Sequence, residues 1–81
     1  MSEEIIELIE SLEMIEQDLG IPKNVKCKIR NAILALQDTS IELSVKANKA
    51  LQELDEISDD PNIPPYVRPQ IWNIVSLLAG L

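Results

Sequence analysis

There is no histidine in this chain and no phenylalanine, and it holds only two glycines, one cysteine, one tryptophan and one tyrosine. Each shortage closes off a class of activity. Without histidine there are no Ser–His or Cys–His nucleophile pairs, none of the usual zinc sets, and none of the Glu-x-x-His pairs of di-iron bundles. Gly20 and Gly80 cannot make a glycine-rich phosphate loop. Cys27 stands alone, so no internal disulfide is possible; this fits a reducing cytosol and leaves an intermolecular bridge open. Ligand clefts usually carry aromatic walls and convergent polar groups, and this chain has little of either. No apolar run approaches the roughly 18–20 residues of a membrane span. The start, Met1-Ser2-Glu3-Glu4, is acidic where a signal peptide is basic. The expectation is a soluble cytoplasmic protein that is not an enzyme and has no catalytic residues, no metal and no cofactor.

What the chain does have is aliphatic bulk. Apolar residues make up 46% of its 81 positions, so Ile, Leu, Val and Ala must fill one small core. A domain of this size buries only about 60% of its unfolded surface and often gains from a partner. The net charge is −7, which argues against indiscriminate binding to nucleic acid or anionic lipid. The charge is uneven. Glu3, Glu4, Glu7, Glu10, Glu13, Glu16 and Asp18 precede any base, whereas Lys23, Lys26, Lys28 and Arg30 follow close together.

A repeat organises the rest. Asp18, Ile21, Pro22, Val25, Ile29 and Asn31 return forty-two positions later as Asp60, Ile63, Pro64, Val67, Ile71 and Asn73. The shared pattern D-x-x-I-P-x-x-V-[KR]-x-x-I-x-N reads as a turn running into a helix. The preceding segments match at the same offset, Ile9, Leu12 and Ile15 with Leu51, Leu54 and Ile57. The unit is therefore a helical hairpin, used at about 2–38 and again at about 39–81 within a single domain. Two pairs are too few for a solenoid, so the expected fold is all-α: an antiparallel four-helix bundle built from two repeated helical hairpins.

Local signals place the helices. Ile5, Leu8, Ile9, Leu12, Ile15 and Leu19 form the first stripe at spacings of three and four, with Ser2 as N-cap and Gly20 in the left-handed position that commonly ends a helix. Pro22 opens the second helix, striped by Val25, Ile29, Ala32, Ile33 and Leu36. Thr39 followed by Glu42 is a capping-box signature, which starts a third helix at Ser40; its apolar set is Leu43, Ala47, Ala50, Leu51, Leu54 and Ile57. Pro69 would break a helix interior, so a turn is expected at 64–68 and a regular helix from about Pro69.

Several clusters have two readings. Glu3, Glu7 and Glu10 would hold a hard cation or form a solvated outer face, and the second is preferred. Lys23, Lys26 and Arg30 share a helix face; they would contact phosphates, or pair with the acidic first helix across the solvent edge, and pairing is preferred. Cys27, among lysines near a helix start, is either a reactive thiol or a small structural residue, and the latter is preferred. The stretch from Ile71 to Leu81 carries no charge. Trp72 stands where the repeat offset places Arg30. It is either a lid over the aromatic-poor core or, with Tyr66, Leu77 and Leu81, a partner surface.

The turn Pro61-Asn62-Ile63-Pro64-Pro65-Tyr66-Val67-Arg68, its partner at Ile21-Pro22 and the acidic first helix resemble a family of short archaeal proteins, uncharacterised protein family 0147, over nearly the whole chain. The resemblance implies an all-helical four-helix bundle in the archaeal cytosol and supplies no catalytic or binding residues. The functional expectation is a non-enzymatic protein–protein interaction module that self-associates through the last helix as a homo-oligomer, in the simplest case a dimer. The alternative is a small RNA- or ribosome-associated protein using Lys23, Lys26 and Arg30.

Overall fold

A computed structural model describes residues 2–81. It has four helices, α1 (Glu3–Glu16), α2 (Lys23–Gln37), α3 (Leu43–Ser58) and α4 (Arg68–Ala79), with no strand among the described residues. Each helix packs against its neighbour in the chain, α2 against α3 most extensively, and α1 meets α4 over the smallest contact. The molecule measures 33 × 20 × 20 Å.

The aliphatic stripes meet in one core. Leu12, Val25, Ile29, Ala32, Ile33, Leu36, Ala50 and Leu54 are fully enclosed, and no polar or charged residue is buried among the described residues. Burial of this kind stabilises by about 25 cal/mol per Å² of apolar surface. The repeat offset is visible in the core: Ile21 and Ile63, Val25 and Val67, Ile29 and Ile71, and Leu36 and Leu78 are all buried.

The turns depart from expectation in an instructive way. Asp18 Oδ1 accepts the Gly20 backbone N–H (2.7 Å), and the Ile21 N–H reaches back to the Asp18 carbonyl (3.3 Å). Asp60 does the same with Asn62 (2.8 Å) and Ile63 (3.3 Å). Asp38 also accepts from the Ser40 N–H (2.9 Å), so the connection between α2 and α3 carries the same aspartate bond. These are Asx turns, in which a short carboxylate replaces a backbone acceptor. Pro22 and Glu42 then sit at matching N-cap positions with near-identical backbone angles (φ −61°, ψ 155° and φ −68°, ψ 157°).

That third turn corrects the expected start of α3. The helix begins at Leu43, not Ser40, and no capping box forms; Glu42 is the N-cap residue and makes no side-chain cap bond. Asp38 engages Ser40 instead, so a local side-chain bond has outcompeted the helical one. Ile41 in consequence is half-buried, like an incomplete copy of Ile21 and Ile63, and Leu43 is exposed.

Other local expectations are sharpened. Ser2 does cap α1, its Oγ accepting from the Ile5 N–H at 3.3 Å. Leu19 is not on the stripe: α1 ends at Glu16, and Leu19 projects into solvent, 95% exposed. Gly20 is not left-handed, since no described glycine has positive φ. A Cβ there would stand 3.2 Å from Asp18 Oδ1 and 3.3 Å from the Tyr66 hydroxyl, so closeness explains the glycine. α4 starts at Arg68 with Pro69 in its first turn, where the missing N–H is not needed. Pro65–Val67 form the turn before it, with the Val67 N–H bonded to the Pro64 carbonyl (3.0 Å).

Candidate functional site: the outer face of the last helix

Beyond Arg68, α4 carries no charged side chain. Its inward face is Ile71, Ile74 and Leu78. Outward it presents Pro69, Asn73, Ser76 and Gly80 along the middle, with Trp72 on one flank and Leu77 on the other. Trp72 is 64% exposed and Leu77 54%. Trp72 is therefore no lid over the core. On its side a hollow against α3 is lined by Asp55, Ser58, Asp59 and Val75. On the opposite side a shallow groove runs along the α1 contact. Glu4, Glu7, Leu8, Leu77 and Leu81 line one stretch of it, and Ser11, Met14, Gln70 and Asn73 another. Arg68, at the helix start, is turned back onto the Asp60 carbonyl (3.1 Å).

The four residues expected to share a partner surface are thus divided. Leu77 and Leu81 face the groove with α1, Trp72 the hollow with α3. Tyr66 has a different task. Its hydroxyl donates to the Asp18 carboxylate, 2.8 Å from Oδ2 and 3.0 Å from Oδ1. The Gly20 N–H and this hydroxyl together hold the Asp18 carboxyl below its ordinary pKa, and the same carboxylate pushes the Tyr66 phenol up. A second bond mirrors the first: Asn24 Nδ2 donates to Asp60 Oδ2 at 3.3 Å. Asn24 and Tyr66 occupy equivalent places forty-two residues apart, as do Asp18 and Asp60. Each copy's side chain clasps the other copy's turn.

The basic candidates also separate. Arg30 forms a two-pronged pair with Glu16 on α1 (Nε to Oε2 2.7 Å), which raises the guanidinium pKa further. Lys28 pairs with Glu56 and lies 3.6 Å from Glu53 on α3; the Glu56 contact raises its pKa. Lys23 is exposed and Lys26 half-buried, and neither forms an ion pair among the described residues. The expected pairing of the basic face with α1 is carried by Arg30. Cys27 is exposed and so is not a packing residue. Glu3, Glu7 and Glu10 are all exposed on α1.

The decisive comparison is between equivalent pairs. Glu16 and Arg30 clamp α1 to α2; at the offset of forty-two their places are taken by Ser58 and Trp72. Both line the hollow between α3 and α4, and the Ser58 hydroxyl turns back to the Asp55 carbonyl (3.1 Å). A charged clamp in one half has become an uncharged pair in the other, a half-buried serine beside an exposed tryptophan.

The whole chain, residues 1–81, matches the uncharacterised protein family UPF0147. The chain belongs to this family. A UPF0147 protein of Sulfurisphaera tokodaii is 43% identical over 67 residues, covering 83% of this chain and 75% of the relative. One from Metallosphaera sedula is 41% identical over 70 residues, covering 86% and 79%. A crystal structure described as the unknown function protein MMP1188 superposes with a TM-score of 0.91 at 40% identity, covering 96% of this chain and 89% of that one. The comparisons thus place this UPF0147 chain among archaeal homologues. Among its described residues no helix is long and apolar enough to cross a membrane.

Proposed function

We propose that this UPF0147 protein is a non-enzymatic helical interaction module, an antiparallel four-helix bundle of two helical hairpins whose contact surface is the outer face of α4. The observation that carries the reading is the exposed Trp72 on a helix without charge beyond its first residue. A tryptophan left mostly uncovered gives up burial that a core position would supply, and such side chains are typical anchors of protein contacts. The short connections, the order of helix contacts and the mirrored Asn24–Asp60 and Tyr66–Asp18 bonds support the hairpin architecture.

Self-association through this face would bring acids against acids, because Glu4 and Glu7 on α1 and Asp55 and Asp59 on α3 border it. A partner other than a second copy therefore suits it better. The RNA reading is less well supported, since Arg30 is committed to Glu16, which leaves Lys23 and Lys26 of that set without an ion pair among the described residues.

A photoreactive phenylalanine derivative placed at Ser76, with the same probe at exposed Asn31 on α2 as control, tests the surface in an extract of an archaeon carrying a family member. Discrete adducts from position 76 that disappear in the Trp72→Ala background support the reading. Equal labelling from both positions, or none from position 76, refutes it.

A further inference from the structure

We infer that the occupant of the α4 face is a cationic amphipathic helix, with an apolar seam lying along α4 and basic side chains on both of its flanks. The inference rests on the reading of α4 as a contact surface and adds what it contacts. Three observations converge. The middle of the face is built from small side chains at helical spacing, Pro69, Asn73 and Ser76, so another helix can approach closely. The apolar flanks, Trp72 and Leu77, stand exposed on either side of that line, as anchors for residues at i, i+3, i+4 and i+7 of a docked helix.

The third observation is charge. Glu4 and Glu7 border the face along α1, and Asp55 and Asp59 border it along α3; the one cation on the face, Arg68, lies at its start beside Pro69 and Trp72 and donates to the Asp60 carbonyl. Beyond Arg68 at its start the face is an uncharged strip between two negative banks. Complementarity of potential selects partners and speeds encounter, and like charges brought together exclude wrong ones. A second copy meets the strip with the same negative banks, in either parallel or antiparallel orientation. An extended nucleic acid meets it with phosphates. A helix with lysine or arginine on both flanks satisfies the strip and the banks at once.

The test uses the single tryptophan, Trp72, as its own reporter. The probe is a tryptophan-free synthetic helix of about 18 residues with a leucine seam and lysine flanks, compared with the same peptide carrying glutamate for lysine. The expected result is a saturable blue shift of Trp72 emission with the lysine peptide only, weakening about ten-fold as salt rises from about 0.05 to 0.5 M. Reversing one bank (Glu4→Lys with Glu7→Lys) or the other (Asp55→Lys with Asp59→Lys) weakens binding by about five-fold or more. The control Gln37→Lys, Thr39→Lys, Glu42→Lys makes the same change in net charge on exposed residues away from α4 and leaves affinity within about two-fold. Circular dichroism confirms that each variant is folded.

The inference is overturned if the control weakens binding as much as the bank variants, because the attraction is then that of net charge alone. It is also overturned if the glutamate peptide binds equally, or if sedimentation shows copies of the chain pairing through α4. Those outcomes leave the α4 face in use and sink only its assigned occupant. Loss of the position-76 adducts sinks the underlying reading instead.

Discussion

Replacing Trp72 with alanine separates a surface anchor from a core lid. Trp72 is 64% exposed, so about one-third of a side chain of roughly 250 Å² is covered. At about 25 cal/mol per Å² the covered part, some 90 Å², stabilises by at most about 2 kcal/mol. Alanine retains the Cβ contacts and has the higher helix propensity, which brings the expected loss to about 1 kcal/mol. Leu54→Ala is the internal standard. Leu54 is fully enclosed, and truncations of this kind cost about 2–5 kcal/mol including the cavity left behind. A chain of 81 residues has a total stability of only about 4–12 kcal/mol, so the two outcomes are far apart. Urea unfolding followed by circular dichroism reads both, since fluorescence is lost with the tryptophan. A Trp72→Ala loss equal to that of Leu54→Ala would refute the placement of Trp72 on the surface and the contact reading with it.

Tyr66→Phe should lower the melting temperature most between about pH 5 and 9. The folded Asp18 pKa is below its ordinary 3.8, so its contribution is present above that value and is lost as pH falls through the folded pKa. The folded Tyr66 pKa is above its ordinary 10.0, so its contribution is present below that value and is lost as pH rises through the folded pKa. A wild-type minus Tyr66→Phe difference that stays constant from pH 2 to 11 would contradict the clasp. Gly20→Ala should be destabilising through its Cβ contacts with Asp18 and the Tyr66 hydroxyl, and less so in the Tyr66→Phe background; equal effects in both backgrounds argue for a different cause. Thr39→Ala should change stability by less than about 0.5 kcal/mol, because no capping box exists to lose. Asp38→Ala should lower the melting temperature by removing the Ser40 bonds, and the opposite order of the two variants would restore the capping box.

The core and the helix count were legible because they depend on spacing alone. Val25, Ile29, Ala32, Ile33 and Leu36 recur at three and four residues, and all are buried. The turns were only partly legible. Asp18 and Asp60 were recognised through the I-P that follows each, whereas Asp38-Thr39-Ser40-Ile41-Glu42 has glutamate in place of proline and carried a competing capping-box signal. A side-chain carboxylate can satisfy either a turn or a helix start, and sequence spacing does not say which bond is made. Leu19 failed for a related reason: it continues the helical period past the point where the backbone leaves the helix. The division of Tyr66 from Trp72 was illegible, because a tyrosine hydroxyl bonded to an aspartate forty-eight residues away leaves no local pattern.

The two halves of the chain show which differences have structural work behind them. Asn24 and Tyr66 differ completely in size, yet both reach across to the opposite aspartate, so that divergence preserved a contact. Arg30 and Trp72 also differ, but the contact itself is gone: Glu16 has become Ser58, and nothing replaces the clamp between the helices. If Trp72 served the fold, it would be covered, or Ser58 would be a partner for it. It is neither enclosed nor bonded, and beyond Arg68 its helix carries no charge. Cys27 has likewise given way to Pro69, which stiffens the first turn of α4. The first half is thus held together by charge on its outside, and the second leaves an exposed tryptophan where that clamp would stand.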